Sequence, residues 1–176
     1  MVLKGWYSIL FILLSIIYTS DAQTSVVQCI NPEFEQLVDG YLDYDIPTIS
    51  VADAYDAKEK FTFLDARELE EYNVSHIKGA IHIGYDHFDS DQFEAKFQKD
   101  KPYIVYCSIG YRSEKIGEKL KKKGYTQIFN LYGSIFEWVN QHRPVVDQNG
   151  NPTVRLHTYS KKWGKWVEAE EIEKTW

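Results

Sequence analysis

The sequence predicts an α/β fold in which helices cover both faces of a parallel central sheet. Short apolar runs rich in aromatic and β-branched residues alternate with helical patterns along most of the chain. Several runs are apolar at consecutive positions, as in strands buried on both faces. Asp65 follows one such run, 61–64, and Cys107 ends another, 103–107. Because sites in parallel sheets lie at the carboxyl ends of strands, we expect Asp65 and Cys107 at one sheet edge.

Length and composition favour one globular domain that does not bind nucleic acid. The chain has 176 residues, with 15% aromatic and 26% charged residues, which is enough for a real core. Its net charge is −6, and its main basic run, at 119–123, ends a predicted helix. Cations suit that helix end, so we expect no nucleic-acid partner.

Residues 1–22 have the pattern of a secretory signal peptide. Lys4 precedes an apolar stretch, 9–17, and small residues follow at 20–22. The stretch is short for a transmembrane helix. We therefore expect an exported protein, periplasmic in a Gram-negative bacterium and otherwise secreted. The alternative is an uncleaved anchor, and only then would a membrane be a partner.

The remaining chain divides into an N-terminal extension (23–45), a central domain (46–144) and a C-terminal hairpin with a tail (145–176). In the extension, a short helix is expected to end at Gly40. Ser50 and Ser134 are expected to cap helices. The predicted helices span 51–58, 68–72, 92–97, 113–123 and 134 to about 143, and the predicted strands span 61–64, 80–83, 103–107 and 127–131. An Asn-Gly turn signal predicts the hairpin between 145–146 and 153–156, followed by an aromatic, basic tail, 159–166.

Cys107 opens a six-residue loop that ends at Arg112, between a strand and a predicted helix start at Ser113. Helix N-termini present unpaired N–H groups that stabilise anions, including a thiolate. We interpret the loop as a nucleophilic cysteine in an anion-binding cradle. The second cysteine, Cys29, could form a disulfide with Cys107 or resolve it. We favour a small buried hydrophobe for Cys29.

Five stretches in order now resemble one family. They are 64–67 with Glu71-Tyr72, 76–80, 107–113, 124–125 and 131–138. Together they resemble a single-domain rhodanese, a thiosulfate sulfurtransferase-like domain, over roughly residues 46–144. The sequence departs from the family pattern at Ser75, at Gly117 and at Ser134, where the family often has Gly, Ala and Gly respectively.

The resemblance implies that Cys107 is the catalytic nucleophile and carries sulfur as a persulfide. Expected partners are a small sulfur-containing anion as donor and a thiol or cyanide-like acceptor, with no cofactor. The expected substrate-binding residues are Ser108, Ile109, Gly110, Tyr111, Arg112 and Ser113. Four residues separate Cys107 from Arg112, whereas related cysteine phosphatases have five. The shorter loop suits sulfur better than phosphate, so phosphatase or arsenate reductase activity ranks lower.

Asp65, Arg67 and His76 are expected to support the site from behind the loop. For His76 a hydrogen-bonded packing role is favoured over general base catalysis. His82 and His87 lack a third ligand at suitable spacing, so no metal site is expected. The main alternative function is a rhodanese-like module that binds a partner or senses oxidation without catalysis.

Overall fold

The computed structural model describes residues 28–176, so the predicted signal segment lies outside the described residues. The helices of this part are α1 (Pro32–Asp39), α2 (Val51–Asp56), α3 (Leu69–Val74), α4 (Ser90–Glu94), α5 (Tyr111–Lys122) and α6 (Ser134–Asn140). The strands are β1 (Thr48–Ile49), β2 (Thr62–Asp65), β3 (Ile81–His82), β4 (Tyr103–Tyr106), β5 (Ile128–Leu131), β6 (Val145–Val146), β7 (Pro152–Thr153), β8 (Arg155–His157) and β9 (Glu173–Thr175). Short 3-10 helices lie at Lys58–Lys60 and Trp163–Trp166.

Five strands form one sheet in the order β1-β5-β4-β2-β3, and every pairing in it is parallel. The predicted parallel sheet is therefore confirmed. Its central strand, β4, is buried along its whole length. Asp65 at the end of β2 pairs with Tyr106 at the end of β4. Cys107 follows Tyr106 directly, so the expected meeting of Asp65 and Cys107 at one edge is also confirmed.

Helices cover both faces of this sheet, as predicted. The residues of β4 alternate between two core clusters. Ile104 and Tyr106 belong to a cluster with side chains from α1, α2 and α6. Tyr103 and Val105 belong to the second cluster, which includes side chains from α4 and α5. The site at the end of β4 is thus anchored in both halves of the core.

The N-terminal extension packs onto the domain through α1. Asn31 caps this helix, because its side chain accepts hydrogen bonds from the backbone N–H groups of Glu33 and Phe34. Phe34 is fully buried, and its ring centroid lies 5.8 Å from that of Trp166 and 6.4 Å from that of Phe136. The extension therefore joins the domain core and the C-terminal tail. The predicted helix end at Gly40 is confirmed, because α1 ends at Asp39 and Gly40 is its C-terminal cap.

The C-terminal hairpin is confirmed in part. β6 pairs with β7 in antiparallel orientation across the turn at 147–151. The predicted second strand, 153–156, is wrong as a continuous element, because β8 leaves the hairpin and pairs in parallel with β9. This pairing lets Leu156 become fully buried, whereas Val154 at the break remains 52% exposed. Leu156 is thus buried in the β8–β9 pair, and the exposed Val154 lies where the predicted strand divides.

Several predicted helix boundaries are corrected. α5 begins at Tyr111 rather than Ser113, so Arg112 lies in the first turn of the helix and does not end the loop. Gly110, with φ +122°, occupies the position before that turn. α4 begins early, because Asp89 accepts hydrogen bonds from the N–H groups of residues 91 and 92. Ser50 caps α2 as predicted, but α2 ends at Asp56. No helix among residues 28–176 is long and apolar enough to cross a membrane.

Candidate active site

The loop after β4 holds the sulfur of Cys107 by backbone contacts. The Cys107 side chain is buried, and the Gly110 N–H donates to its Sγ at 3.2 Å. The Cys107 N–H donates to Ser134 Oγ at 3.1 Å. Ser134 was predicted to cap α6, but Gly133 occupies the cap position and Ser134 instead binds the Cys107 N–H. Both the backbone and the sulfur of Cys107 are therefore fixed in place.

Strand β5 and helix α5 hold the turn at Gly110. Asn130 Nδ2 donates to the Gly110 carbonyl at 3.0 Å. Ser113 Oγ donates to Asn130 Oδ1 at 2.7 Å and lies 3.0 Å from the same carbonyl oxygen. Ser113 and Asn130 are fully buried. This network fixes the backbone at a positive φ, and that conformation turns the Gly110 N–H toward the sulfur.

The surroundings of Cys107 favour its thiolate. Burial alone would raise the pKa of the thiol, since a charged sulfur loses its hydration. The positive charge of Arg112 and the backbone N–H groups of Ser113 and Gly110 outweigh burial. The pKa of Cys107 is therefore held below its ordinary value. A thiolate is the reactive form for nucleophilic attack, so the geometry prepares Cys107 for this role.

Arg112 is fixed by an ion pair with Glu71. Its Nη1 donates to Glu71 Oε2 at 2.7 Å and its Nη2 to Glu71 Oε1 at 3.0 Å. The same Nη2 donates to Ser108 Oγ at 3.1 Å. Burial raises the pKa of Glu71, but the hydrogen bond and charge of Arg112 outweigh it and hold the pKa below its ordinary value. Arg112 therefore acts on the loop from a fixed position, with its charge largely balanced by Glu71.

A second buried ion pair lies at the end of β2. Arg67 Nη2 approaches Asp65 Oδ2 at 2.6 Å, and both side chains are fully buried. The same nitrogen donates to the Ser75 carbonyl at 2.6 Å. The pair thus ties the end of β2 to the residue that follows α3, the helix that carries Glu71. This geometry agrees with the supporting role expected of Asp65 and Arg67.

His76 packs on α3 and the C-terminal hairpin. Its ring stacks on Tyr72 with a centroid distance of 3.8 Å, and its Nδ1 lies 3.0 Å from the Tyr72 carbonyl oxygen. The His76 N–H donates to the Val146 carbonyl at 2.8 Å. These contacts are those of a packing histidine. His82 Nε2 similarly lies 2.9 Å from the Arg67 carbonyl oxygen.

A pocket of about 290 Å³ opens above Cys107. Five aromatic side chains line it, and we call them the aromatic mouth: Tyr41, Tyr85, Tyr111, Tyr159 and Trp163. The Tyr41 ring meets those of Tyr111 and Trp163 edge-on, with centroid distances of 6.2 and 5.8 Å. Loop residues 107–109 and Arg112 form further parts of the lining. The expected substrate-binding residues Ile109 and Tyr111 thus face this pocket, whereas Gly110 and Ser113 serve the loop from behind.

Two carboxylates lie at the same opening. Glu68 and Asp86 both line the pocket, and Glu68 Oε1 accepts a hydrogen bond from the Asp86 N–H at 3.2 Å. Asp86 is exposed, and Glu68 is half-buried. The pocket therefore combines the sulfur of Cys107, aromatic walls and an acidic rim.

Cys29 has the opposite environment to Cys107. Both thiols are free in the described part of the chain, so the disulfide considered from the sequence is absent there. Burial, followed by the negative charges of Glu137 and Glu35, raises the pKa of Cys29 well above its ordinary value. Cys29 packs closely against Gly133, where an added Cβ would lie 2.9 Å from its sulfur. The interpretation of Cys29 as a small buried residue is supported.

An acidic group lies away from the pocket. Asp43, Asp45 and Glu118 place one oxygen each within 4.8 Å of one another. Lys115 Nζ contacts Asp43 at 2.7 Å and Glu118 at 2.6 Å. A lysine thus neutralises two of these three carboxylates.

Residues 50–141 match the model of the rhodanese-like domain, which is more than half of the chain. The chain belongs to the rhodanese-like family. It is 29% identical over 94 residues to the thiosulfate sulfurtransferase GlpE of Coxiella burnetii, across 53% of this chain and 85% of that protein. It is 32% identical over 99 residues to the putative sulfur carrier protein YrkF of Bacillus subtilis, across 54% of this chain and 52% of that protein. The family supports sulfur transfer.

Solved structures show the same fold. A rhodanese-related protein from Thermoplasma volcanium is 32% identical, with a TM-score of 0.51, over 57% of this rhodanese-like chain and 98% of that chain. The polysulfide-sulfur transferase homodimer from Wolinella succinogenes superposes with a TM-score of 0.53 over 66% of this chain and 89% of its own. At 22% identity, the second likeness shows the fold alone.

Sequence reasoning missed several residues of the site. Glu71 was noted only as part of the family motif Glu71-Tyr72, within the helix predicted at 68–72. Asn130 gave no signal within its apolar strand. The contributions of Tyr41 and Trp163 come from segments far from Cys107 in sequence, so no local pattern could place them there.

Proposed function

We propose that this rhodanese-like protein is a sulfurtransferase that moves sulfane sulfur from a thiosulfate- or persulfide-type donor to a thiophilic acceptor. The carrier is a persulfide on Cys107. The observation that supports the proposal best is the buried Cys107 sulfur, which accepts the Gly110 N–H and has a pKa below its ordinary value. The relatives named as a thiosulfate sulfurtransferase and a sulfur carrier agree with it.

The reaction has two displacement steps. In the first, the Cys107 thiolate attacks the outer sulfur of thiosulfate, the S–S bond of the donor breaks, and sulfite leaves with the bonding electron pair. In the second, a nucleophilic acceptor attacks the outer sulfur of the persulfide. The Cys107–sulfur bond then breaks and its electron pair returns to Sγ. Splitting the transfer in this way replaces one difficult step by two easier ones.

Gly110 of the loop and residues of the first turn of α5 have defined parts in these steps. The N–H groups of Gly110 and Ser113 stabilise negative charge on the sulfur before and after transfer. Arg112 adds a positive charge that Glu71 and Ser108 hold in place. Arg112 donates to Glu71 through both of its terminal nitrogens. Four residues separate Cys107 from Arg112, one fewer than in related cysteine phosphatases, and this shorter spacing favours sulfur transfer over phosphatase or arsenate reductase activity.

The test is a cyanide-dependent thiosulfate assay on wild type and on Cys107→Ala. We expect thiocyanate formation by the wild type, a gain of one sulfur atom in its mass after exposure to donor, and neither result with Cys107→Ala. Equal activity in the two proteins would refute the proposal. A wild type that neither gains sulfur nor forms thiocyanate would favour the non-enzymatic binding or redox-sensing module instead.

We also propose that the protein is exported, on the basis of Lys4, the apolar stretch 9–17 and the small residues at 20–22. Expression in a Gram-negative host followed by fractionation tests this. A periplasmic product whose N-terminus begins near residue 23 would support export. A product that stays cytoplasmic at full length would refute it, and one retained in the membrane at full length would favour the anchor.

A further inference from the structure

The aromatic mouth is built largely by segments outside the matched family domain. Tyr41 lies before residue 50, and Tyr159 and Trp163 lie after residue 141. All three nevertheless line the pocket that contains Cys107. The matched domain supplies the sulfur chemistry, so these added walls point to a substrate feature beyond the sulfur atom itself.

The size of the pocket favours an organic substrate. Its volume is about 290 Å³, close to the lower end of pockets that bind organic ligands, about 300 Å³. Water occupies roughly 30 Å³ in the liquid, so an inorganic sulfur anion of a few atoms leaves most of this space unfilled. The walls are aromatic faces, which stabilise a larger body by burial and stacking.

The charge at the opening favours a cationic group on the acceptor. Among the described lining residues, Glu68 and Asp86 are negative and Arg112 is positive. The charge of Arg112 is balanced by Glu71, at 2.7 Å. The rim is therefore negative overall, and aromatic faces attract cations rather than anions. The Tyr159 ring already shows this property, since the Arg112 guanidinium carbon lies 5.8 Å from its centroid.

We infer that the aromatic mouth and its acidic rim select an organic thiol acceptor that carries an ammonium group. The inference rests on the proposed sulfur transfer and concerns its second step. The thiolate sulfur of the acceptor attacks the outer sulfur of Cys107–S–SH. The Cys107–sulfur bond breaks, its electron pair returns to Sγ as the thiolate, and the acceptor leaves as its own persulfide. The step transfers one neutral sulfur and needs no external oxidant or reductant.

The experiment starts from protein whose Cys107 persulfide has been formed and verified by mass. Three thiols of equal chain length discharge it: cysteamine, 2-mercaptoethanol and 2-mercaptoethanesulfonate, which are cationic, neutral and anionic. The second-order rate constants are measured for wild type and for Asp86→Asn. The intrinsic reactivity of each thiol is the same toward both proteins. A difference between wild type and Asp86→Asn in the ratio of the cysteamine and sulfonate rate constants therefore measures the effect of the rim charge. We expect Asp86→Asn to lower the cysteamine preference over the sulfonate about two- to fivefold.

Glu70→Gln is the matched control for charge. Glu70 is exposed on the same helix as Glu71 and is not part of the pocket lining, but its loss changes the net charge equally. We expect this variant to retain the wild-type preference. Trp163→Leu tests the aromatic wall, because it keeps an apolar side chain and removes the π face. We expect this variant to lower the rate constant of cysteamine about two- to fivefold more than that of 2-mercaptoethanol.

The outcomes separate the two proposals. Failure of the wild type to form the Cys107 persulfide would refute the proposed sulfur transfer. A persulfide that forms normally, but reacts with cysteamine and the sulfonate in the same ratio in wild type, Asp86→Asn and Trp163→Leu, would overturn the ammonium selectivity alone. An equal fall of the cysteamine preference in Glu70→Gln and in Asp86→Asn would also overturn the ammonium selectivity, since the overall charge of the protein would then explain the preference.

Discussion

At the scale of single residues, the chain contains two buried thiols with opposite properties. Cys29 lies among carboxylates, and burial with the charges of Glu137 and Glu35 raises its pKa. Cys107 is just as buried, but Arg112 and loop N–H groups hold its pKa below the ordinary value. The pKa of the same side chain is thus shifted in opposite directions at two buried positions, and neighbouring charge rather than exposure decides the direction.

The reactivity of Cys107 should follow pH in a way that depends on Arg112. Alkylation requires the thiolate, which predominates above the thiol pKa. The alkylation rate should therefore rise with pH and reach its plateau at a lower pH than that of a free cysteine. In Arg112→Ala the cation is lost, the Cys107 pKa rises, and the curve should move to higher pH. Sulfur transfer at neutral pH should fall on the order of 10²-fold. Mass-detected alkylation across a pH series measures the first effect.

Two further variants keep this prediction testable. Arg112→Ala leaves the buried carboxylate of Glu71 unpaired, which costs about 3–5 kcal/mol and could unfold the protein. Arg112→Lys retains the charge without the bidentate fork, so its curve should lie between those of wild type and Arg112→Ala. Lys122→Ala removes an exposed cation from the same helix and should leave the curve in place. An identical shift in Lys122→Ala would contradict a specific effect of Arg112.

At the scale of elements, the structure explains two departures from the family pattern. An added Cβ at Gly117 of α5 would lie 2.1 Å from Cδ1 of Ile46, so glycine lets the chain before β1 pack against the helix. Ser134 takes a family glycine position and binds the Cys107 N–H. The sequence showed both departures, but their reasons depend on residues from other elements and could not be predicted from it.

The strands β2 to β5 and most helices could be predicted because their apolar periodicity is local, whereas β9 and the division of the strand predicted at 153–156 could not. The start of α5 could not, since it depends on Gly110. The residues 111–112 have ordinary helix propensity, and nothing in their types separates a loop end from a first helical turn. Only the positive φ of Gly110, fixed by Asn130 and Ser113, places the start at Tyr111.

Gly110→Ala should damage the loop that joins β4 to α5. At φ +122° an alanine is strained, and its Cβ would lie 3.3 Å from Leu42 Cδ2. We expect a loss of about 1–3 kcal/mol in the free energy of unfolding and slower alkylation of Cys107, because the N–H donated to Sγ would be displaced. Denaturant unfolding and alkylation rates measure the two effects.

Gly150→Ala is the control for backbone strain. Gly150 has φ +80° in the hairpin turn, and among the described residues no atom lies within 4 Å of an added Cβ. This variant should lose about 1–2 kcal/mol with unchanged Cys107 alkylation. If Gly110→Ala lost stability but kept the wild-type alkylation rate, the Gly110 N–H would have no part in activating the sulfur.

At the scale of the whole molecule, the N-terminal and C-terminal segments outside the matched domain contact each other directly. Phe34 of α1 packs against Trp166 of the tail, and Asn31 hydrogen-bonds Glu168. In this arrangement, Tyr41 from one segment and Trp163 from the other line the same pocket. Their convergence depends on tertiary contacts, so the sequence predicted an N-terminal extension and an aromatic tail but not their shared position over Cys107.

Asn140 at the end of α6 should control the attachment of the tail. Its Oδ1 accepts the Glu168 N–H at 2.7 Å and the Ala169 N–H at 3.4 Å, and its Nδ2 donates to the Trp166 carbonyl at 2.9 Å. Asn140→Ala leaves these buried and partly buried groups without their partner, so we expect a loss of about 1–3 kcal/mol in unfolding free energy. Hydrogen exchange should become faster at the backbone amides of residues 168 and 169, and the cysteamine preference should fall as Trp163 loses its support.

Asn149→Ala, an exposed change in the hairpin turn, is the control and should alter neither stability, exchange nor preference. Wild-type protection at 168 and 169 in Asn140→Ala would show that the tail is held by apolar contacts, such as that of Trp166 with Phe34, rather than by this amide.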